Sequence, residues 1–382
     1  MYPIVIWVLS ILLYAAAKLE FAIIIANSSF AATYNNILST HITIGYKDFS
    51  LTLSVLHWIN DGLMAVFFLV VGMEIKRELL IGELKSLKRT ILPVAAAVGG
   101  IVVPIIIYTL FNYNQPTSNG FAIPMATDIA FSLGVLSLVG KKAPKGIVVF
   151  LTALAIVDDL GAIIVIAMFY TSEISWIYLF LSLIIFMALI AVNKLKVKSV
   201  PVFIILGLVL WFTILKSGIH ATFAGVLLGM TIPGAKDSEA FKQSMLHNLE
   251  HKLSPWSAFL IMPIFALANS GVAINMNSIS SAFTTPVGLG IIFGLFLGKQ
   301  LGIFGVSYIL VKLKIANLPS KVTKRHLYGA SVLGGIGFTM SIFVSSLAFV
   351  DGTVLATAKI SIIIVSVLSA IVGMVIFSSI QN

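Results

Sequence analysis

The sequence predicts an all-α integral membrane protein of about twelve transmembrane helices. Hydrophobic residues fill 59% of its 382 positions and charged residues only 10%, against the roughly 25% charge of a soluble domain. Mean hydropathy is +1.09. The chain also divides into a dozen apolar runs, most near the ~20 residues that a helix needs to cross a bilayer. Nothing remains for a separate soluble domain, so residues 1–382 read as one transmembrane unit.

In order, the predicted segments are 4–31, 57–75, 91–112, 120–140, 147–170, 174–193, 200–215, 219–233, 255–275, 285–311, 327–349 and 355–379. The first opens "YPIVIWVLSILLYAAA", which lacks the basic start of a signal peptide and is followed by "KLEFAIIIANS". It therefore reads as one interrupted helix, with Lys18 and Glu20 either paired locally or lying at the interface. The seventh and eighth segments are short.

The joints fix the orientation. Those after the second, fourth, sixth, eighth and tenth segments hold 19 of the 24 Lys and Arg, whereas the opposite joints hold only Lys47 and Lys216. By the positive-inside rule the basic joints face the cytoplasm, and an even number of spans leaves both termini there too. This also accounts for the net charge of +10 without a nucleic-acid partner, because the basic residues sit at segment ends rather than on one face. The absence of cysteine excludes disulfides, thiolate nucleophiles and cysteine metal sites.

Two joints carry a pattern of their own. Residues 41–53, "HITIGYKDFSLTL", alternate apolar and polar positions as a small external hairpin would, though a disordered loop fits equally well. Residues 237–251 read as a short amphipathic helix at the cytoplasmic face. Its "HNLEH" matches an H-x-x-E-H zinc pattern, but no third ligand or cleft accompanies it, so a solvated helix face is expected.

Five ionisable residues sit within apolar segments or near their ends: Asp61, Asp128, Asp158, Asp159 and Lys299. A carboxylate at bilayer depth costs roughly 2.5 to 3.5 kcal/mol even on a lenient insertion scale, so the adjacent aspartates in "LTALAIVDDLGAIIVIA" need a reason. Four acids and one base cannot all pair, and the surplus negative charge must be protonated or matched by a cation from solution. Asp61, standing alone, also fits a structural hydrogen-bonding role.

Backbone irregularity falls in the same region. The fourth segment has Pro124 four residues before Asp128, and the eleventh reads "GASVLGGIGFTMSIF", with Gly334, Gly335 and Gly337 at mid-span. Helices broken at that depth are tolerated only where the backbone is buried in protein or lines a wet cavity. The two segments hold matching places in the triplets 91–170 and 285–379, seven spans apart. An odd offset makes the triplets enter the membrane from opposite sides, as inverted-topology repeats. Two discontinuous crossing helices are then expected, with Asp128 and Lys299 offsetting the partial charges of the half-helix ends.

The stretches "INDGLMAVFFLVVGMEIKREL", "MATDIAFSLGVL", "ALAIVDDLGAIIVIA", "SGIHATFAGVLLG", "LANSGV", "LGKQLGIF" and "GGIGFTMSIF", in this order over residues 57–349, resemble the NhaA sodium/proton antiporters. That family is itself a type case of the inverted-repeat plan, so the two readings are not independent. The resemblance implies an electrogenic antiporter of the bacterial inner membrane, active at alkaline pH, that exports sodium or lithium against protons in sodium and pH homeostasis. Asp159 would be the main ligand for the cation and Asp158 its neighbour in ion access and proton exchange. Thr127 and Asp128 would lie on the extended backbone of the broken fourth helix. Lys299 would offset the opposite helix ends and, in one view of the family, pair with Asp158 and carry a proton. Glu74, Arg77, Glu78 and Glu250 match positions around the cytoplasmic funnel, where charges would tune activity with pH, while solvated helix ends would explain them as well. His220 is a further pH-response candidate because histidine as a residue type titrates near neutrality, and a satisfied interfacial histidine explains it equally.

The residues themselves agree with this chemistry. Sodium prefers hard oxygen ligands, which carboxylates, a threonine hydroxyl and freed carbonyls provide. Coupling between Asp158 and Asp159 raises at least one of their proton affinities, so that protons and cations compete for one site. Lys299 stands among Gly294, Gly298 and Gly302, a G-x-x-x-G series assigned to helix packing.

Competing functions are less well served. No Walker A sequence is present, so nucleotide-driven pumping is disfavoured and no cofactor is expected. An intramembrane aspartyl protease would also place two carboxylates in the membrane, but its G-x-G-D sequence is missing, and "GGIGF" ends in Phe338. A proton-coupled solute importer would call for a larger site with aromatics or arginines. The partners expected are thus sodium or lithium, protons, the bilayer and a second copy of the chain, with the 41–53 hairpin contributing to the dimer.

Overall fold

The computed structural model describes residues 21–45, 50–82, 85, 87–139, 143–171, 173–274 and 276–380. Most of the first segment, with Lys18 and Glu20, lies outside them, as do residues 46–49 at the hairpin tip.

The elements in order are α1 (Ala31–Ser39), β1 (His41–Ile44), β2 (Leu51–Ser54), α2 (Val55–Leu80), α3 (Thr90–Phe111), α4 (Ser118–Met125), α5 (Ile129–Leu138), α6 (Lys145–Phe169) and α7 (Trp176–Lys194). They continue with α8 (Val200–Ser217), α9 (Thr222–Thr231), α10 (Ser238–Lys242), α11 (245–269) and α12 (Met276–Thr284). The last are α13 (Pro286–Lys312), α14 (Lys324–Leu333), α15 (Phe338–Ala348) and α16 (Gly352–Ser379). Among the described residues eight helices are long and apolar enough to cross a membrane, and the bent pair α14 and α15 makes a ninth. The shorter apolar α9 and the long α11 coincide with two more of the predicted segments.

Two boundaries differ from expectation. Among the described residues the helix of the first segment ends at 26, short of 31, and a turn at 27–30 separates it from α1. The stretch at 41–53 is the expected hairpin and not a disordered loop, with His41 paired to Ser54 and Ile44 to Leu51. The amphipathic stretch is split into α10 and the start of α11, and α11 joins it to the ninth segment: from Met245 the helix runs without interruption to Asn269, widening to i→i+5 turns at Ser257–Ile261. Pro255 causes this, since it has no N–H for the ordinary ladder.

The chain falls into two compact units, one built mainly from Ser86–Ile164 and Val272–Asn382, the other from Ile24–Lys85 and Val165–Gly271. In the first, the order long helix, broken helix, long helix occurs twice: α3, α4 with α5, α6, then α13, α14 with α15, α16. Its core gathers Phe131, Phe150, Leu154, Leu333, Phe338 and Phe377. Here α3 and α13 cross with backbones in contact, where a Cβ on Gly302 would strike the carbonyl of Gly99. Gly298 and Gly294 likewise meet Pro104 and Pro124, so the glycine series around Lys299 serves packing.

In the second unit α2 and α9 make the equivalent close crossing, and a Cβ on Gly225 would strike the carbonyl of Ala65. Lys76 Nζ fixes the end of α9, donating to the carbonyls of Met230 (2.9 Å) and Ile232 (2.6 Å). Such a lysine satisfies carbonyls that a helix C-terminus leaves free.

Candidate functional site

The site lies in the first unit, where the two broken helices meet. Pro124 cannot donate to a ladder and Ala126 to Asp128 run extended, so α4 stops and α5 starts afresh. Glycines 334, 335 and 337 make the corresponding break between α14 and α15. Each break answers the other's unpaired backbone. The amide of Asp128 donates to Ile336 O (2.7 Å), and the hydroxyls of Thr127 and Ser132 donate to Gly334 O and Leu333 O, each at 2.9 Å. In return Ser341 donates its hydroxyl to Ile123 O at 2.9 Å. Carbonyls and amides that lipid could not satisfy are satisfied here by protein.

Two charged side chains deal with the helix ends. Asp128 Oδ1 accepts the Phe131 amide at 3.2 Å and so caps α5. Its Oδ2 accepts the Thr339 amide at 3.2 Å and the Thr339 hydroxyl, so one carboxylate serves the positive ends of α5 and α15 together. Lys299 does the reverse. Its Nζ donates to Met125 O, the last carbonyl of α4, and lies 2.7 Å from Asp158 Oδ2.

The Lys299–Asp158 pair is sealed, with side-chain exposures of 0% and 1%. Asp158 Oδ1 has no hydrogen-bond partner. Thr127 lies beside this carboxylate and turns its backbone N–H toward it, while its hydroxyl donates to Gly334 O. Asp159, next along α6, is buried and close enough to Lys299 to act on its charge. Thr127, Asp128, Asp158, Asp159 and Lys299 thus belong to one buried arrangement, with three carboxylates against one ammonium.

In the second unit, Glu74, Arg77, Glu78 and Glu250 also come together. Arg77 pairs with Glu250 through Nη1 and with Glu78 through Nη2 at 3.1 Å, and Glu74 lies within their field. Glu250 is buried and its Oε2 has no partner. Burial pushes its carboxyl above the ordinary range, and the Arg77 charge offsets only part of that. The expected solvated face of "HNLEH" is therefore only partly solvated: His251 is exposed, while Glu250 turns inward to Arg77. No group of three or more His, Asp or Glu able to hold a metal occurs among the described residues.

His220 stands apart from this cluster. Its Nδ1 lies 3.5 Å from Asp61 Oδ1, and Asp61 precedes Glu74 by 13 positions on α2. At 1.5 Å per residue that separates them by roughly 20 Å. Asp61 occupies a widened turn, Trp58–Leu63, whose carbonyl at 61 accepts from Trp211 Nε1 at 2.9 Å.

Several residues at the crossing escape sequence reasoning. Thr339, Ser132, Ser341 and Ser366 each make a bond there, but a hydroxyl residue in an apolar helix is commonplace and its partners, backbone atoms for the serines and the Asp128 carboxylate for Thr339, are far away in sequence. The "FTMS" after the glycines is the one local signal. Lys359, half-buried in α16, is a further ionisable residue inside an apolar segment that the count of five overlooked.

Comparison with known proteins places residues 8–377 under the family model described as Na+/H+ antiporter 1. A Clostridium beijerinckii relative named Na(+)/H(+) antiporter NhaA 1 is 71% identical over 360 residues, 94% of this chain and 90% of its own. Relatives named Na(+)/H(+) antiporter NhaA from Pelagibacter ubique and Haemophilus ducreyi are 51% and 45% identical, covering 92% and 97% of this chain and 90% and 94% of theirs.

Proposed function

Because this chain belongs to the Na+/H+ antiporter 1 family of membrane transporters, we propose that its buried carboxylates exchange one sodium or lithium ion for protons. The observation that carries this reading is the charge at the crossing, three buried carboxylates against one lysine. A surplus of negative charge out of water is stable only when protonated or matched by a cation. Protons and sodium therefore compete for the same oxygens.

In this reading Asp159 is the principal ligand, and the unpartnered Oδ1 of Asp158 and the Thr127 oxygen complete a hard-oxygen set suited to sodium or lithium. Asp128 and Lys299 hold the helix ends in place. Lys299 is also the candidate second proton carrier, since cation binding at Asp158 competes with the ion pair. Loss of protons from both Lys299 and Asp159 for one sodium makes the cycle electrogenic. Triplets α3–α6 and α13–α16 act as inverted repeats that expose the site alternately to the two sides.

The remaining roles follow the same reading. Glu74, Arg77, Glu78 and Glu250 form the group that responds to alkaline pH, with His220 contributing separately through Asp61. The chain resides in a bacterial inner membrane with both termini in the cytoplasm, and pairs with a second copy through β1 and β2.

Everted membrane vesicles with a respiration-driven pH gradient test the proposal. Sodium or lithium should collapse the gradient with the intact chain and not with Asp159→Asn, whose amide cannot titrate. No collapse by the intact chain between about pH 7 and 9, with the protein in the membrane, would refute the exchange. Sodium-independent uptake of an organic solute would then favour an importer.

A further inference from the structure

The peptide unit joining Ile336 to Gly337 is held on both sides. Its carbonyl accepts the Asp128 amide at 2.7 Å, and its N–H donates to the hydroxyl of Ser366 on α16 at 3.1 Å. A trans peptide is planar with C=O and N–H pointing apart, so these two bonds fix one plane between the Asp128 backbone and the last helix.

Ser366 takes a second donor, the Phe338 amide, at 3.2 Å. The next amide, of Thr339, goes to Asp128 instead. A helix N-terminus leaves its first amides without partners, and at α15 they are divided between a neutral hydroxyl and a carboxylate. Phe338 has φ of 21°, a sparsely populated conformation for a bulky residue, which persists only where its surroundings hold it. Ser369, one turn on from Ser366, is buried with its hydroxyl unpartnered, 2.7 Å from where a Cβ on Gly335 would stand. This face of α16 therefore runs along the break.

We propose that Ser366 is a positioning residue for the exchange site: it locks the Ile336–Gly337 plane and thereby the Asp128 backbone, and it leaves the Asp128 carboxylate free for α5 and Thr339. The inference rests on the crossing being the exchange site. Ser361, on the same helix and equally buried, offers a control, because its hydroxyl only donates to Thr357 O within α16 at 2.8 Å.

The test uses the full chain in proteoliposomes, comparing wild type, Ser366→Ala, Ser366→Thr and Ser361→Ala. Hydrogen exchange over residues 334–339 is measured alongside sodium/proton exchange across a pH series. In Ser366→Ala the amides of the break should exchange faster, and the apparent KM for sodium should rise roughly tenfold, about 1.4 kcal/mol and the low end for a buried donor left unpaired. Its pH profile should shift while the maximal rate changes less. Ser366→Thr should restore all three, and Ser361→Ala should match wild type.

Unchanged amide protection in Ser366→Ala, or a KM and pH profile no different from those of Ser361→Ala, would overturn the proposal. So would a stable Ser366→Thr that behaves like the alanine variant. If Ser366→Ala does not fold, Ser366→Cys, similar in shape but a poor acceptor, carries the same readouts. A wild type without sodium-coupled proton movement would refute the function, while amide protection would still decide on the clamp.

Discussion

Asp128 and Lys299 have opposite tasks at one crossing, the first gathering amides from two helix starts and the second a carbonyl from a helix end. Both residue types could be read from the sequence, because a charge in an apolar segment stands out. Their partners could not, because backbone atoms carry no sequence signature and the hydroxyl of Thr339 looks like any other. Thr339→Val keeps the shape and the amide but removes a hydroxyl donor to a buried carboxylate, a bond of the charged kind worth ~1.5–3 kcal/mol. The detergent-solubilised variant should melt earlier and bind sodium more weakly, and an unchanged melting temperature would show that the hydroxyl contributes nothing. At Glu250 the sign of a pH effect can be worked out. Burial raises its carboxyl more than Arg77 lowers it, so folding favours the protonated form. The associated stability is present below the ordinary carboxylate range and is lost as pH rises from there through the raised value. Glu250→Gln lacks that ionisation, so its melting temperature relative to wild type should rise across the same window. A relative fall would mean that the Arg77 pair outweighs burial.

Elements were most legible where a pattern interrupts itself. Pro124 and the glycines at 334, 335 and 337 announced two breaks, and both exist. The ninth segment was misjudged because His247, Glu250, His251 and Lys252 make the start of α11 look like a surface helix, whereas Glu250 turns inward and the same helix continues to Asn269. The glycine series on α13 permits a direct test of what packing does for the site. A Cβ at Gly302 meets the backbone of Gly99 on α3, while one at Gly305 meets nothing within 4 Å. Gly302→Ala should push α13 off α3, move Lys299 from Met125 and Asp158, and lower both stability and exchange, with overpacking costing ~1–3 kcal/mol. Gly305→Ala should leave exchange intact and gain slightly in helix propensity. Equal behaviour of the two variants in a melting and vesicle-exchange comparison would contradict this account of the crossing.

At the scale of the whole molecule, the distribution of lysine and arginine along the chain and the charge within the site address the same question, namely which way net charge moves. With 19 of 24 basic residues in alternate joints, the positive-inside rule predicts a single orientation. In the proposed exchange the proton-loaded site would carry Asp158 paired with Lys299 and a proton on Asp159, and would be neutral if Asp128 is counted with the helix ends it serves. Loading one sodium while releasing protons from both Asp159 and Lys299 leaves the site with one negative charge. On the proposed exchange each full cycle would then carry two protons inward for one sodium outward, and therefore one net positive charge inward. If only Asp159 released its proton, exchange would be one for one and electrically silent. Proteoliposomes loaded with sodium and diluted into sodium-free medium distinguish the two cases. The two-proton cycle predicts an interior that turns positive as sodium leaves, a rate that increases when a potassium shunt relieves the potential, and a null-flux pH difference half that of one-for-one exchange. Sodium efflux indifferent to the shunt, balanced by the full pH difference, would mean that Lys299 keeps its proton throughout and acts only as the counter-charge to Asp158.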